Sequence, residues 1–407
     1  GALLQFLIGL VQTCAAPARE DDWLESYEEP PTVAEMHACF LIERDAFNLL
    51  GDGPRFMQDQ WLDAGPANFR AISQLLIDAP GENTVKQNKD IFVKRAGLGG
   101  GAVDFSLAAA AMALLTLQVN APSGGQGHRT GIRGGGPITM VPVGEDLWQT
   151  VWCSVLSRRD FDAKVPGDPT LKVERYPWMN PPRTSGPGKP ATLPQDVHPL
   201  THFWATPRRI WLTVATEPGV CALTAEVGPL VRGLHTVNYG ANYEGAYLHP
   251  LSVYRTSETD GLPLAVKGQP AGIGYTDWPK WVLPPAGYQA PTWLPMHRRR
   301  AHDVEVPTRV SAFGYDMDNM TARGWQMATI PAFNVSATTR DALAMQAENY
   351  IAAAIEVGGA LRKYTFAALN VAKPAKTTRA ASLNAAFQSA TEAQFRASLD
   401  EITSGLT

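Results

Sequence analysis

The sequence predicts an α+β protein: a large mixed α/β N-terminal domain with long irregular loops over residues 1–335, followed by a C-terminal helical bundle domain over 336–407, of which only two long helices are evident. Three observations predict it. An apolar helical run, Phe105 to Val119, empties into a stretch carrying seven glycines between Gly124 and Gly136. Ten prolines between Pro166 and Pro207 rule out long regular elements there. After Pro331 the pattern turns helical, with Leu343, Ala347, Ile351, Ala354, Gly358 and Leu361 on one face.

Taken in order, Leu3, Leu7, Leu10, Val11 and Cys14 have helical spacing. They predict an amphipathic core helix rather than a signal peptide, because no Lys or Arg precedes them and Gln5 and Gln12 interrupt the run. Residues 16–32, acidic and Pro-containing, read as a loop, and Thr32 to Leu49 as a second helix ended by Gly51-Asp52-Gly53-Pro54. The chain is irregular over 66–101. Ser106 is the expected N-cap of the apolar helix, and Asn120-Ala121-Pro122 its stop. A short strand or helix is expected over Glu145–Leu156, and strands over Ile210–Ala215, Ala246–Tyr254 and Val304–Phe313. Asp260-Gly261 marks a hairpin turn, and residues 314–323 read as a turn. Thr338 to Asp341 is a capping-box pattern opening a helix to about Ala372; Pro374 ends it, and a second helix follows over about Thr378–Ile402. Together they make an αα-hairpin.

The formal net charge of −4 argues against a free-standing, non-specific nucleic-acid binder, so any such contact is local. Basic clusters exist at Lys94-Arg95, Arg129 with Arg133, Arg158-Arg159, Arg208-Arg209 and His297-Arg298-Arg299-Arg300. Four scattered cysteines, none in a C-x-x-C pair, exclude a thiolate zinc cluster of local spacing and fit a reducing cytoplasm. No stretch is long and apolar enough to span a bilayer.

The glycine run is neither a dinucleotide fingerprint nor a P-loop. Its spacing and its helix–loop–strand order are wrong for the first, and no Gly-Lys-Ser/Thr occurs. Two readings stay open: a Gly-rich connection that binds nothing, and a polyanion surface made of open backbone (Gly124, Gly125, Gln126, Gly127) with Arg129 and Arg133. No convergent set of nucleophile, base or metal ligands is apparent, and no cofactor is expected. His302-Asp303 alone suggests an HD-type nuclease. His198 and His202 have metal-ligand spacing only on a helix, which Pro199 argues against.

The run from Ala121 to Thr139 resembles the glycine-loop signature of the CasA-type large subunit of the type I-E CRISPR Cascade complex. Similar segments are Leu3 to Trp23, Arg55 to Gln58, Phe203-Trp204, His249 to Ser252, Gly272 to Trp278 and Gly314 to Arg323. The resemblance implies a non-catalytic, cytoplasmic subunit whose partners are CRISPR RNA, sister Cascade subunits, double-stranded target DNA and a helicase-nuclease. It implies that the glycine loop meets the minor groove. A hairpin would read that groove from another side; the family's lysine position aligns with Thr259-Asp260, leaving Arg255 or Lys267 as substitutes. Asp318, Asn319 and Met320 would form a wedge that splits the duplex, with Asn319 where the family has a glutamine. Lys94 and Arg95 would fall in a loop contacting the RNA and a neighbouring subunit. The family's usual length implies first strands preceding Gly1, and its four-helix bundle implies that the bundle is abbreviated here or continues past Thr407. An assembly subunit contacting only RNA and protein is the alternative function.

Overall fold

The computed structural model describes residues 1–77, 79, 103–318, 321–370 and 373–405. These residues are a mixture of helix and sheet, with two long helices at the C-terminal end. They divide into two compact units: residues 1–137, 154–250 and 317–324, and residues 138–153, 251–316 and 325–407.

The first unit is organised on the strand Leu230–Val237. One of its edges pairs antiparallel with Arg209–Val214; the other pairs with Phe69–Ala71 and, further along, with Phe105–Ser106. The short strand Phe105–Ser106 runs directly into the helix Leu107–Asn120, whose first turn is capped as expected: the Ser106 hydroxyl accepts a hydrogen bond from the Ala109 amide at 3.3 Å. The N-terminal helix Ala2–Cys14 packs on this helix. Beside them an aromatic cluster forms, with Phe6, Phe47, Phe56, Trp178 and Trp204 in largely edge-to-face contact. The indole of Trp178 donates to the Ala46 carbonyl at 2.7 Å and that of Trp204 to the Thr13 hydroxyl at 3.0 Å, so both rings are buried with their polar atoms satisfied.

Arg309–Asp318, which lies in the second unit up to Asp316, is the middle strand of a three-stranded sheet between Thr139–Pro142 and Thr321–Pro331. A smaller sheet orders Tyr288–Gln289, Tyr254–Thr256 and Pro263–Ala265 side by side. The two helices Ala337–Ala368 and Lys373–Gly405 pack together. Phe387 lies against Gly358, where a Cβ would come within 3.3 Å of its ring. The second helix is tied to the loops of its own unit: Trp278 donates to Glu392 at 3.1 Å, and the Tyr275 ring stacks on Phe395 with centroids 4.6 Å apart.

Several expectations are corrected. Residues 20–28 are a helix rather than a loop: the carboxylate of Asp22 accepts from the Arg19 amide at 2.9 Å, and three acidic residues sit in the first turn, where the helix dipole favours them. The second helix is short, Val33–Ile42, with Thr32 as its cap. Ala246–Tyr254 is not a strand; Pro250 interrupts it, and only an isolated bridge from Ser252 to Thr139 forms before the strand Tyr254–Thr256. The chain from Gly314 to Asp318 continues its strand, and Thr321–Pro331 is a second one beside it, so the described part of the expected turn is strand. The cap of the first long helix is Ser336, whose hydroxyl accepts from the Thr339 amide at 3.2 Å, two residues before the expected box. No helix among the described residues is long and apolar enough to cross a membrane.

Candidate nucleic-acid interface

The glycine loop leaves the buried end of the helix Leu107–Asn120 and is held from beneath at both ends. Ala121 and Pro122 are buried, whereas Ser123, Gly125, Gln126 and His128 are exposed. Gly125 and Gly127 have φ of +76° and +77°, so the loop depends on the left-handed region twice within three residues. The Gly125 carbonyl accepts from the His128 amide at 3.3 Å, closing a turn. The Gly127 carbonyl accepts from the Tyr239 amide at 2.8 Å, and the Gln126 carbonyl accepts from the Asn238 side chain, also at 2.8 Å. Further on, the Gly131 amide returns to the Ala121 carbonyl at 3.0 Å, where a Cβ at Gly131 would stand 2.7 Å from the Val119 oxygen.

Tyr239 itself has φ +65°, an uncommon conformation for an aromatic residue. Its amide holds the loop, its carbonyl accepts from the Ser185 amide at 3.1 Å, and the Ser185 hydroxyl donates to the Gly240 carbonyl at 2.6 Å. That same hydroxyl accepts from Arg129 Nε at 2.6 Å, and Arg129 also donates to the Ser185 carbonyl at 2.8 Å. Among the described residues, Arg129 therefore flanks the loop with its charge met by the neutral oxygens of Ser185.

Arg208 is the second such cation. Its guanidinium donates to the Pro122 carbonyl and to His128 Nδ1, each at 2.5 Å. Arginine has no acceptor to offer, so His128 carries its proton on Nε2. The Arg208 backbone is fixed by Gln118, which accepts from the Arg208 amide at 3.0 Å and donates to its carbonyl at 2.9 Å. Burial lowers the Arg208 pKa to about 10, which still leaves it charged at neutral pH. Burial, and then the Arg208 charge, lower the His128 pKa and keep the ring neutral. Among the described residues, neither Arg129 nor Arg208 makes a salt bridge, whereas the adjacent Arg209 is paired with Asp59 at 2.6 Å.

The other sequence-predicted residues are dispersed. Arg133 departs from the expected surface: it is 5% exposed and donates to Gln5 at 2.5 Å inside the first unit. The run 297–300 is also largely internal, since His297 bonds the Pro307 carbonyl, Arg298 bonds the Val282 and Ala332 carbonyls, Arg300 is buried, and only Arg299 is open to solvent. The hairpin around Asp260-Gly261 forms as expected, between the strands Tyr254–Thr256 and Pro263–Ala265. Arg255, Thr259, Asp260 and Lys267 are all exposed on it. Its tip is acidic rather than basic, with Asp260 held low in pKa by hydrogen bonds from Ser257 and Leu262. This hairpin belongs to the second unit and the glycine loop to the first. Of the expected wedge, Asp318 is exposed and ion-paired with Arg323 at 3.4 Å; Asn319 and Met320 lie outside the described residues, as do Lys94 and Arg95.

His198 and His202 are buried and locally bonded, to the Leu200 amide and the Pro199 carbonyl respectively. His302 and Asp303 are exposed in the turn after the helix Trp293–Arg300. Among the described residues no group of three or more His, Cys, Asp or Glu could hold a metal ion. What the sequence reading missed is the support of the loop. Asn238, Tyr239, Ser185 and Arg208 stand 58 or more positions from Gly127 in the sequence, and only Arg208-Arg209 left a signal, as a basic pair.

The fold is shared with known proteins. The profile for the CRISPR-associated protein Cse1 matches residues 1–407, which makes this chain a CRISPR-associated protein. Within that class it belongs to the Cse1 family. Among solved structures, Thermus thermophilus CasA (Cse1) matches with 17% identity and a TM-score of 0.63, over 98% of this chain and 82% of the other. A CRISPR-associated protein Cse1 from Acidimicrobium ferrooxidans matches at 14% identity and a TM-score of 0.65, over 98% and 77%. A chain of a CRISPR RNA-guided surveillance complex matches at 17% identity and a TM-score of 0.61, over 89% and 72%. At these identities the likeness is one of fold. No curated protein sequence matches the chain.

Proposed function

We propose that the chain is the non-catalytic large subunit of a CRISPR RNA-guided surveillance complex and that it recognises a short motif in double-stranded DNA before the guide pairs with the target. Such a division leaves sequence reading to the guide and only a short motif to the protein. The observation that carries the reading is the loop from Ser123 to His128: open backbone, flanked by Arg129 and underlain by Arg208, two cations with no carboxylate partner among the described residues. Backbone amides and arginines are the groups that meet phosphates and groove edges. The minor groove distinguishes A·T from G·C poorly, so several motifs are tolerated. Recognition then leads to strand opening at Asp318, Asn319 and Met320, and to recruitment of the helicase-nuclease.

Gly125 is the position to test. A Cβ there meets only His128, at 3.6 Å, so the fold has room for a side chain that a DNA groove does not. Gly125→Asp in the assembled complex abolishes capture of a motif-bearing duplex while the complex still co-purifies with its RNA and sister subunits. Normal capture by this variant would remove the glycine loop from the interface and favour a subunit that contacts only RNA and protein. Asn319→Ala with Met320→Gly slows opening of an intact duplex and leaves binding to a target pre-melted beside the motif unchanged; equal defects on both targets would reduce the turn to a structural role.

A further inference from the structure

We infer that Arg208 is the positioning residue of the glycine loop, a latch that closes its two ends onto one guanidinium and releases them when His128 gains a proton. The inference rests on the loop being the duplex-binding surface proposed above. Three features support it. The two acceptors of Arg208, the Pro122 carbonyl and His128 Nδ1, lie at the two ends of the segment that exposes Gly125 and Gln126, so a single planar side chain fixes the span between them. The latch is itself held, because Gln118, fully buried in the helix that delivers the loop, grips Arg208 by both its amide and its carbonyl. Among the described residues, Arg208 Nε is buried with no hydrogen-bond partner and the guanidinium has no carboxylate to hold it elsewhere.

The acceptor at one end is titratable. Neutral His128 accepts from Arg208; protonated His128 has only donors and stands beside a cation that repels it. The charge that acts on this ring is Arg208; Arg129, next in the sequence, is turned to Ser185. Burial and the Arg208 charge act in one direction, so the closed latch is the form at neutral pH and it opens as pH falls through the lowered His128 pKa, below 6.5. Lysine cannot replace Arg208, because one ammonium does not present the two diverging donors that Pro122 and His128 require.

The test is capture of a motif-bearing duplex by the assembled complex between pH 5 and 8, with hydrogen exchange of the loop amides in the full chain as a second readout. Wild-type capture is expected to be constant above pH 7 and to fall at least tenfold by pH 5. His128→Gln, which keeps a neutral acceptor, removes that fall: its capture at pH 5 matches its own capture at pH 7.5, whatever the level of that capture. Arg208→Lys weakens capture at every pH and speeds exchange at His128 and Gly131, while the helix Leu107–Asn120 stays protected. If wild type captures the duplex and both variants follow its pH profile and its exchange, the latch is overturned and the loop's role stands. If wild type does not capture the duplex at any pH, the role of the loop fails and the latch with it.

Discussion

Gly125 and Gly127 share a backbone conformation and answer to different constraints. At Gly127 a Cβ would press within 2.9 Å of Asn238 and 3.0 Å of the Tyr239 ring, and φ is +77°, so the residue is required by the fold. Gly127→Ala is expected to destabilise the first unit by about 1–3 kcal/mol, read as a lower urea midpoint. Gly125 has only the conformational demand, and asparagine tolerates it. Gly125→Asn therefore keeps the unfolding free energy within about 0.5 kcal/mol of wild type; a large drop would show the loop to be packed more tightly than its open surface implies. The two arginines named from the sequence separate in the same way. Arg129→Ala weakens duplex capture evenly across motif sequences and lowers its salt slope by about one, as loss of one phosphate contact does. Arg133→Ala lowers stability instead, by roughly 1–3 kcal/mol, because it strands the buried amide of Gln5. Composition marks both as cations, and only the tertiary structure shows which one is inside.

At the scale of elements, helices with local signals were legible. The periodicity of residues 3–14, the Ser106 cap and the long helices after residue 336 all follow from side-chain spacing and capping chemistry. What was not legible depends on partners distant in sequence. The strand Leu230–Val237 contains Gly233, a residue that lowers strand propensity, yet it is central because three other strands bond to it. The return strand Thr321–Pro331 is mostly exposed, so it lacks the apolar alternation that would reveal it. The supports of the glycine loop belong to the same class. The long helices also carry apolar residues turned outward, among them Met345, Ile355, Leu361 and Tyr364, while Leu343, Ala347 and Ile351 face inward. If this surface receives a sister subunit of the proposed complex, Ile355→Glu with Leu361→Glu reduces its retention in a pull-down and leaves thermal stability unchanged. Retention at the wild-type level would assign the surface to another partner or to none.

For the whole molecule, acid sensitivity follows from its interior. His198, His202 and His297 are buried with pKa lowered to about 4, and His249 lies well below its ordinary value, in each case first because burial disfavours the charged ring. A group whose folded pKa is depressed contributes stability above its unfolded pKa and loses it as pH falls. The unfolded chain therefore takes up protons near pH 6.5 that the folded chain refuses until about 4, and each ring steepens the loss by up to about 1.4 kcal/mol per pH unit in that window. The melting temperature should be level from pH 8 to 7 and drop between pH 6.5 and 4.5. A flat profile across that range would mean that the rings are protonated inside the fold. Loss of duplex capture with the melting temperature intact is separable from this, since it concerns the exposed His128 and not the buried four.

Gln118 is an adaptor: its oxygen and nitrogen face opposite demands, the first taking a hydrogen from the Arg208 amide, the second giving hydrogens to the carbonyls of Arg208 and Met57. Glutamate has the same outline and none of the hydrogens to give. Gln118→Glu would leave two carbonyls facing a carboxylate and supply Arg208 with the counter-ion it lacks, drawing the guanidinium back from Pro122 and His128. One isosteric exchange, in the buried helix upstream of the exposed surface, would thereby cancel positive charge beneath the loop and loosen its span. Polarity at a buried helical position in this way sets the grip of a surface several residues away.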